Sequence, residues 1–207
     1  MSSFATWTPK GGVGKTTFSV QLATMLGYTY VTNDEYCSAE DKFEKGKGFL
    51  VPEGHHEIPF ADKVVFDLGG FKDERIKPLL EKVEKVIVPT LDSEYDIKAL
   101  TSILKALSTM NSSVVILINN IEPDYTNKEN KYHEADRAEN DIMKIVEDNK
   151  LTFKSLQFVR IRKSKGYKTL IKENASVFDY CKDNGVLLNR FRNIIEDMTV
   201  FRNTVLN

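Results

Sequence analysis

The sequence predicts an α/β fold: a doubly wound, mostly parallel sheet flanked by helices. Two observations predict it. Short apolar runs of strand character alternate with helical patterns along the chain, as successive βαβ units require. A glycine-rich stretch, residues 9–17, joins the first strand to the first helix, and acidic residues stand at later strand ends, where such sheets bind ligands. At 207 residues the chain can bury the core of one domain, expected to span 1–207.

Phe4-Ala5-Thr6-Trp7 reads as the first strand, and Phe18, Val20, Leu22, Ala23 and Leu26 mark the helix after the glycines. Residues 28–32 read as a second strand. Residues 35–60 are polar and carry Gly46, Gly48, Pro52, Gly54 and Pro59, so they predict irregular loop with one helical turn. Val64-Val65-Phe66 is a short buried strand. Ile76, Leu79, Leu80 and Val83 follow as a helix in which Pro78 predicts a kink or a late start. Val86-Ile87-Val88 is a strand ended by Pro89. Asp92 or Ser93 caps a helix with Ile97, Leu100, Ile103, Leu104 and Leu107 on its inner face. Residues 114–118 predict the strand buried on both faces. A helix over 134–148, a last strand over 156–161 and helices over 169–182 and 187–204 complete the alternation.

Hydrophobic content of 41% and charged content of 29% are those of a globular protein. The longest apolar run, 114–118, is far short of the roughly 18–20 residues that span a bilayer. Met1-Ser2-Ser3 leads straight into the first strand, which leaves no room for a signal peptide. Cys37 and Cys181 form no metal or redox spacing. These features predict a cytoplasmic, disulfide-free protein.

The chemistry concentrates at residues 9–17. Strand, glycine-rich loop and helix in that order make a phosphate cradle. Gly11, Gly12 and Gly14 let the backbone N–H groups of the loop, including that of Val13, converge on phosphate oxygens without an intervening side chain. The helix N-terminus adds partial positive charge. Lys15 can reach the β- and γ-phosphates, Thr16 can ligand Mg²⁺, and Thr17 can bond the α-phosphate. Asp67, at the end of an apolar strand, is the carboxylate such a site needs for Mg²⁺. The N–H groups of Gly69 and Gly70, just beyond it, are placed to sense a γ-phosphate.

The general phosphate-loop pattern has a glycine where this chain has Pro9, and a second lysine, Lys10, precedes Lys15. KGGVGKTT resembles the deviant Walker A box of the ParA/MinD ATPases, a group that includes the nitrogenase iron protein. The resemblance implies a P-loop NTPase fold, ATP and ADP as ligands with Mg²⁺, and an ATP-sandwiched homodimer in which Lys10, the signature lysine, reaches the partner's ATP. It makes Lys10, Lys15 and Asp34 the catalytic candidates, Asp34 acting on the attacking water. It also gives Asn119 a contact to adenine. The family's Asp-x-Asp-Pro-Gln is here Thr32-Asn33-Asp34-Glu35-Tyr36, which keeps only the second aspartate. Arg160-x-Arg162 and residues 173–179 are similar to the Arg-rich strand end and the Ser-Val-Phe-Glu segment of the partitioning members. The resemblance covers nearly the whole chain and is most specific at residues 9–17. It implies a DNA-partitioning ATPase, nucleoid-associated, that works with a separate ParB-like centromere-binding protein.

Charge distribution supports the DNA expectation. The formal net charge is −1, yet residues 150–172 hold eight basic side chains and no acidic one, while residues 121–149 hold nine acids and four bases. Arg160, Arg162, Lys163, Lys165 and Lys168 are therefore the candidate contacts to nonspecific DNA. A MinD-like membrane cycle would need a terminal lipid-binding helix. Phe191, Ile194, Ile195, Met198, Phe201 and Val205 form an apolar face that reads instead as core, so no membrane is expected. A catalytically weak nucleotide-gated scaffold is the other alternative. His55 and His56, with Glu53 and Glu57, read as a solvated loop.

Overall fold

The structure is a computed structural model describing residues 2–69 and 73–207. Seven strands form one sheet: β1 (Phe4–Trp7), β2 (Thr29–Thr32), β3 (Gly48–Leu50), β4 (Val64–Leu68), β5 (Lys85–Leu91), β6 (Ser113–Ile121) and β7 (Ser155–Arg162). Their order is β3-β2-β4-β1-β5-β6-β7, and every neighbouring pair is parallel. β1 lies between β4 and β5, so the winding reverses there and its carboxyl end opens into the crevice where such sheets take ligands.

The described residues form eight α-helices, of which the first four connect strands and the last four follow β7: α1 (Lys15–Leu26), α2 (Ile76–Leu80), α3 (Glu94–Thr109), α4 (His133–Asp148), α5 (Gly166–Lys172), α6 (Val177–Cys181), α7 (Gly185–Arg190) and α8 (Arg192–Leu206). The strands alternate side chains between two cores. Val114, Ile116 and Ile118 face α2, α3 and α4, whereas Val115 and Leu117 face α1, α5, α6 and α8. Burial on both faces explains why β6 reads as an unbroken apolar run.

Local chemistry sets the boundaries. Gly27 ends α1 in the left-handed region, at φ 65°. Ser93 caps α3 by accepting the Asp96 N–H. Pro78 sits in the first turn of α2, where a missing N–H has no intrahelical partner to lose, so the helix starts late rather than kinking.

Four expectations are corrected. Residues 35–60 hold a short 3₁₀ helix, Glu40–Lys42, and also an edge strand, β3, paired to β2. Pro89 does not end β5. The strand runs to Leu91, and Pro89 lies past Ile87, the last residue paired to β1, where only β6 is adjacent. The helix expected over 169–182 is two, α5 and α6, because Asn174 turns left-handed at φ 51° and Ser176 caps a new helix. The helix over 187–204 is likewise α7 followed by α8. Among the described residues no helix is long and apolar enough to cross a membrane.

Candidate phosphate-binding site

The glycine-rich loop leaves the carboxyl end of β1 and enters α1 directly. Gly12 and Gly14 adopt φ 77° and 104°, a region that L side chains seldom occupy. Gly14 is constrained twice over: a Cβ there would stand 2.7 Å from Asn119 Nδ2 and 2.8 Å from the Phe18 ring. At Gly11 and Gly12 a Cβ would meet no atom within 4 Å, so the outer side of the loop is open to a ligand. α1 has no side-chain cap and no acid in its first turn. Its leading N–H groups are left facing the opening, with Lys15, Thr16 and Thr17 in the same turn.

Two contacts hold the loop from the β5–β6 side. Asn119, near the end of β6, donates Nδ2 to the Val13 carbonyl at 2.9 Å, and its Oδ1 accepts the Asn120 N–H at 2.7 Å. The adenine contact expected of Asn119 would compete with this bracing of the loop. Lys10 is ion-paired within its own chain to Asp96, a buried carboxylate in the first turn of α3 that also accepts the Ser93 hydroxyl.

Asp67, the penultimate residue of β4, lies between Thr6 of β1 and Thr32 of β2 and is 2% exposed. Its Oδ2 accepts the Tyr30 phenol at 2.7 Å, while Oδ1 is buried with no hydrogen-bond partner among the described residues. Burial pushes the Asp67 carboxyl up; the hydroxyls of Tyr30 and Thr16 and the Lys15 ammonium pull the other way. An orphaned carboxylate oxygen beside a hydroxyl at the foot of a phosphate cradle suits a hard divalent cation, which Thr16 and Asp67 would hold. Cys37 Sγ lies 3.9 Å from Thr16 Oγ1 and 3.8 Å from the Tyr30 hydroxyl.

Asp34 follows β2 as a turn aspartate: its N–H donates to Thr32 Oγ1 and its Oδ1 accepts the Tyr36 N–H, both at 3.1 Å. It also packs against Gly69 and lines, with Pro9, Gly11 and Lys15, an open cavity of about 860 Å³. The structure thus brings Lys15, Asp34 and Gly69 to one cleft. The Gly69 N–H, expected to face a γ-phosphate, donates to Asn33 Oδ1 at 2.7 Å, and Asn33 Nδ2 returns a bond to the Gly69 carbonyl at 3.1 Å. Gly70, the other expected donor, lies outside the described residues.

Sequence reasoning missed Tyr30, Asn33, Asp73 and Arg75. Asn33 also donates to Asp73 at 2.8 Å; Arg75 grips Asp73 and donates to the Pro52 and His55 carbonyls at 2.8 and 3.0 Å. The Arg75 guanidinium holds the Asp73 carboxyl below its usual range. No motif marks these residues; only the proximity of Tyr30 and Asn33 to Asp34 could have drawn attention.

Among the described residues, three of the eight basic side chains of the 150–172 segment are ion-paired. Arg160 pairs with Asp136 and Glu139 of α4, each at 2.6 Å. Arg162 pairs with Asp197 at 2.6 Å and Glu196 at 3.0 Å, and Lys163 pairs with Glu122. β7 is an edge strand, so acids from α4 and α8 come within reach of it, which sequence separation concealed. Lys165 and Lys168 are exposed and make no ion pair among the described residues. Among those residues there is no group of three or more His, Cys, Asp or Glu suited to a metal.

No protein-family model matches the sequence, and no curated protein matches it in sequence. Solved structures do match in fold. The ATP complex of a Cyanothece McdA variant superimposes with a TM-score of 0.63 at 10% identity, covering 96% of each chain. A ParA family ATPase from Chlorobium tepidum gives 0.58 at 12% identity, over 100% of this chain and 99% of the other. The Mg-ADP complex of MinD from Pyrococcus horikoshii gives 0.55 at 12%, over 95% of both. A parallel seven-stranded sheet, a glycine loop opening at its switch point and near-complete overlap with these structures lead to one statement: the chain has the fold of the ParA/MinD P-loop ATPases.

Proposed function

We propose that this chain is a single-domain, Mg²⁺-dependent ATPase that switches between an ADP-bound monomer and an ATP-sandwiched dimer and uses the dimer to partition DNA. One observation carries the reading: the β1–α1 junction, where left-handed Gly12 and Gly14 and an uncapped helix N-terminus open beside the unpartnered oxygen of buried Asp67. The loop N–H groups and Lys15 bind the phosphates and offset their charge. Thr16 and Asp67 hold Mg²⁺, which neutralises charge on the phosphate oxygens when bound. Asp34 shares the cavity with Lys15 and is positioned to orient a water. Lys10 leaves Asp96 to reach the partner's nucleotide. The nucleotide complexes among the structural relatives support this assignment.

DNA contact falls to Lys165 and Lys168, which make no ion pair among the described residues, with the paired Arg160, Arg162 and Lys163 behind them. Two copies of so small a patch on one duplex give the avidity that one lacks. A ParB-like protein supplies sequence recognition. The membrane-cycling alternative loses support because Ile194, Met198, Phe201 and Val205 of α8 are buried in the core.

The test is equilibrium binding of a fluorescent ATP analogue, followed by phosphate release. Wild type binds and hydrolyses; Lys15→Ala loses tight binding; Asp34→Ala binds but turns over slowly. Equal binding by Lys15→Ala and wild type refutes the phosphate-loop assignment. DNA binding is expected with a non-hydrolysable analogue and not with ADP, and Lys165→Glu with Lys168→Glu removes it.

A further inference from the structure

We infer that Tyr30 is the positioning residue of the metal site: its phenol fixes the Asp67 carboxylate so that the free oxygen stays turned toward the cation Thr16 would share. The inference rests on the phosphate-site reading above and adds a residue that no motif assigns. Tyr30 and Asp67 are diagonal neighbours on adjacent strands, since Tyr30 pairs with Val65 and Thr32 with Asp67. An aromatic side chain can span that diagonal. Its hydroxyl donates to Asp67 Oδ2 at 2.7 Å, and the other polar atom near it, Cys37 Sγ at 3.8 Å, is only a weak acceptor.

The phenol is not free to swing away. Tyr30 is fully buried, and its ring stacks on Phe43 with centroids 4.9 Å apart and planes 6° from parallel. The carboxylate torsion of aspartate is intrinsically broad, so an unbraced Asp67 would sample orientations in which neither oxygen faces Thr16. Pinning one oxygen removes that freedom before the ion arrives. A hydrogen bond behind a ligating carboxylate typically changes metal affinity by about 10- to 100-fold when removed.

The full-length protein is titrated with Mg²⁺ in the presence of a fluorescent ADP analogue, with a parallel arm in EDTA. Tyr30→Phe keeps the ring and the Phe43 stack. It is expected to bind the analogue in EDTA as wild type does, but to need about 10-fold or more Mg²⁺ for the metal-dependent gain in affinity. Phe43→Leu, which removes the stacked ring but keeps the phenol, provides a second variant if the phenylalanine protein is unstable and should raise the Mg²⁺ requirement by a smaller factor; an unchanged requirement in it would mean that the ring stack does not hold the phenol. In an Asp67→Asn background Tyr30→Phe should add nothing, because both act through one carboxylate. An unchanged Mg²⁺ requirement in Tyr30→Phe, or an undiminished effect of Tyr30→Phe on top of Asp67→Asn, overturns the inference alone. A wild type whose nucleotide affinity ignores Mg²⁺ overturns the metal site and this inference with it. Failure of wild type to bind the analogue in either arm overturns the phosphate-site reading itself.

Discussion

Replacing Arg162 by alanine tests whether the basic segment serves the fold before it serves any ligand. Arg162 donates Nε and Nη2 to Asp197 Oδ1 at 2.9 and 2.6 Å, and Nη2 also reaches the Asn193 carbonyl at 2.8 Å. The Asp197 side chain is 9% exposed and the Arg162 side chain 26%. Removing one partner of a buried pair costs about 3–5 kcal/mol, because the other charge is left uncompensated. Partial exposure of the guanidinium lowers that, and the Arg162 backbone N–H still donates to Asp197 Oδ2 at 2.9 Å after the substitution. We therefore expect a loss of about 2–3 kcal/mol, less than the full buried-pair penalty. At about 2–4 °C per kcal/mol for a chain of this size, Tm should fall by about 4–12 °C. Differential scanning calorimetry and urea unfolding would measure it, with Lys165→Ala as a surface control expected to change stability by no more than about 0.5 kcal/mol. If Arg162→Ala and Lys165→Ala unfold at the same temperature, the Asp197 pair does not brace α8 against β7, and Arg162 returns to the set of free cations.

Gly14→Ala should abolish nucleotide binding. Its φ of 104° disfavours any Cβ, and the new methyl would press on Asn119 and Phe18; wild-type affinity for a fluorescent ATP analogue would refute the loop geometry. Asp96→Ala should release Lys10, raising the acylation of Lys10 by an amine-reactive ester severalfold in peptide mapping while lowering stability by about 1 kcal/mol through loss of negative charge at the start of α3. Unchanged labelling would mean that Lys10 is not held there. Asp73 carries a pH signature. Arg75 depresses its folded-state pKa, so its contribution is present above the unfolded carboxylate pKa and is lost as pH falls through the lower, folded value. The stability gap between wild type and Asp73→Asn in urea should therefore narrow below about pH 4; a gap independent of pH would exclude the Arg75 pair as its origin.

The sheet, its helices and the glycine-rich loop between β1 and α1 were legible from residue order, because each is written in local signals. Period-two and period-3.6 apolar patterns give strands and helices, and left-handed turns demand Gly12 and Gly14 where the loop bends. The place of Asp67 at the carboxyl end of an apolar strand was legible for the same reason. What tertiary structure alone decided are pairings between distant segments. β3, the three residues Gly48-Phe49-Leu50 within a polar, glycine- and proline-rich stretch, is too short to announce itself and becomes a strand only because β2 offers an edge. The basic run at 150–172 reads as a cationic patch, yet the fold sets Arg160 against α4 and Arg162 against α8, and Coulomb attraction acts on distance in space rather than along the chain. Tyr30 looks like an ordinary strand tyrosine until the β2–β4 register carries its hydroxyl to Asp67. Asn33 and Arg75 likewise acquire partners only when β2 and β4 lie side by side and the 52–55 segment folds over their ends. Local sequence specified which groups exist and at which strand ends; the parallel register determined which of them touch.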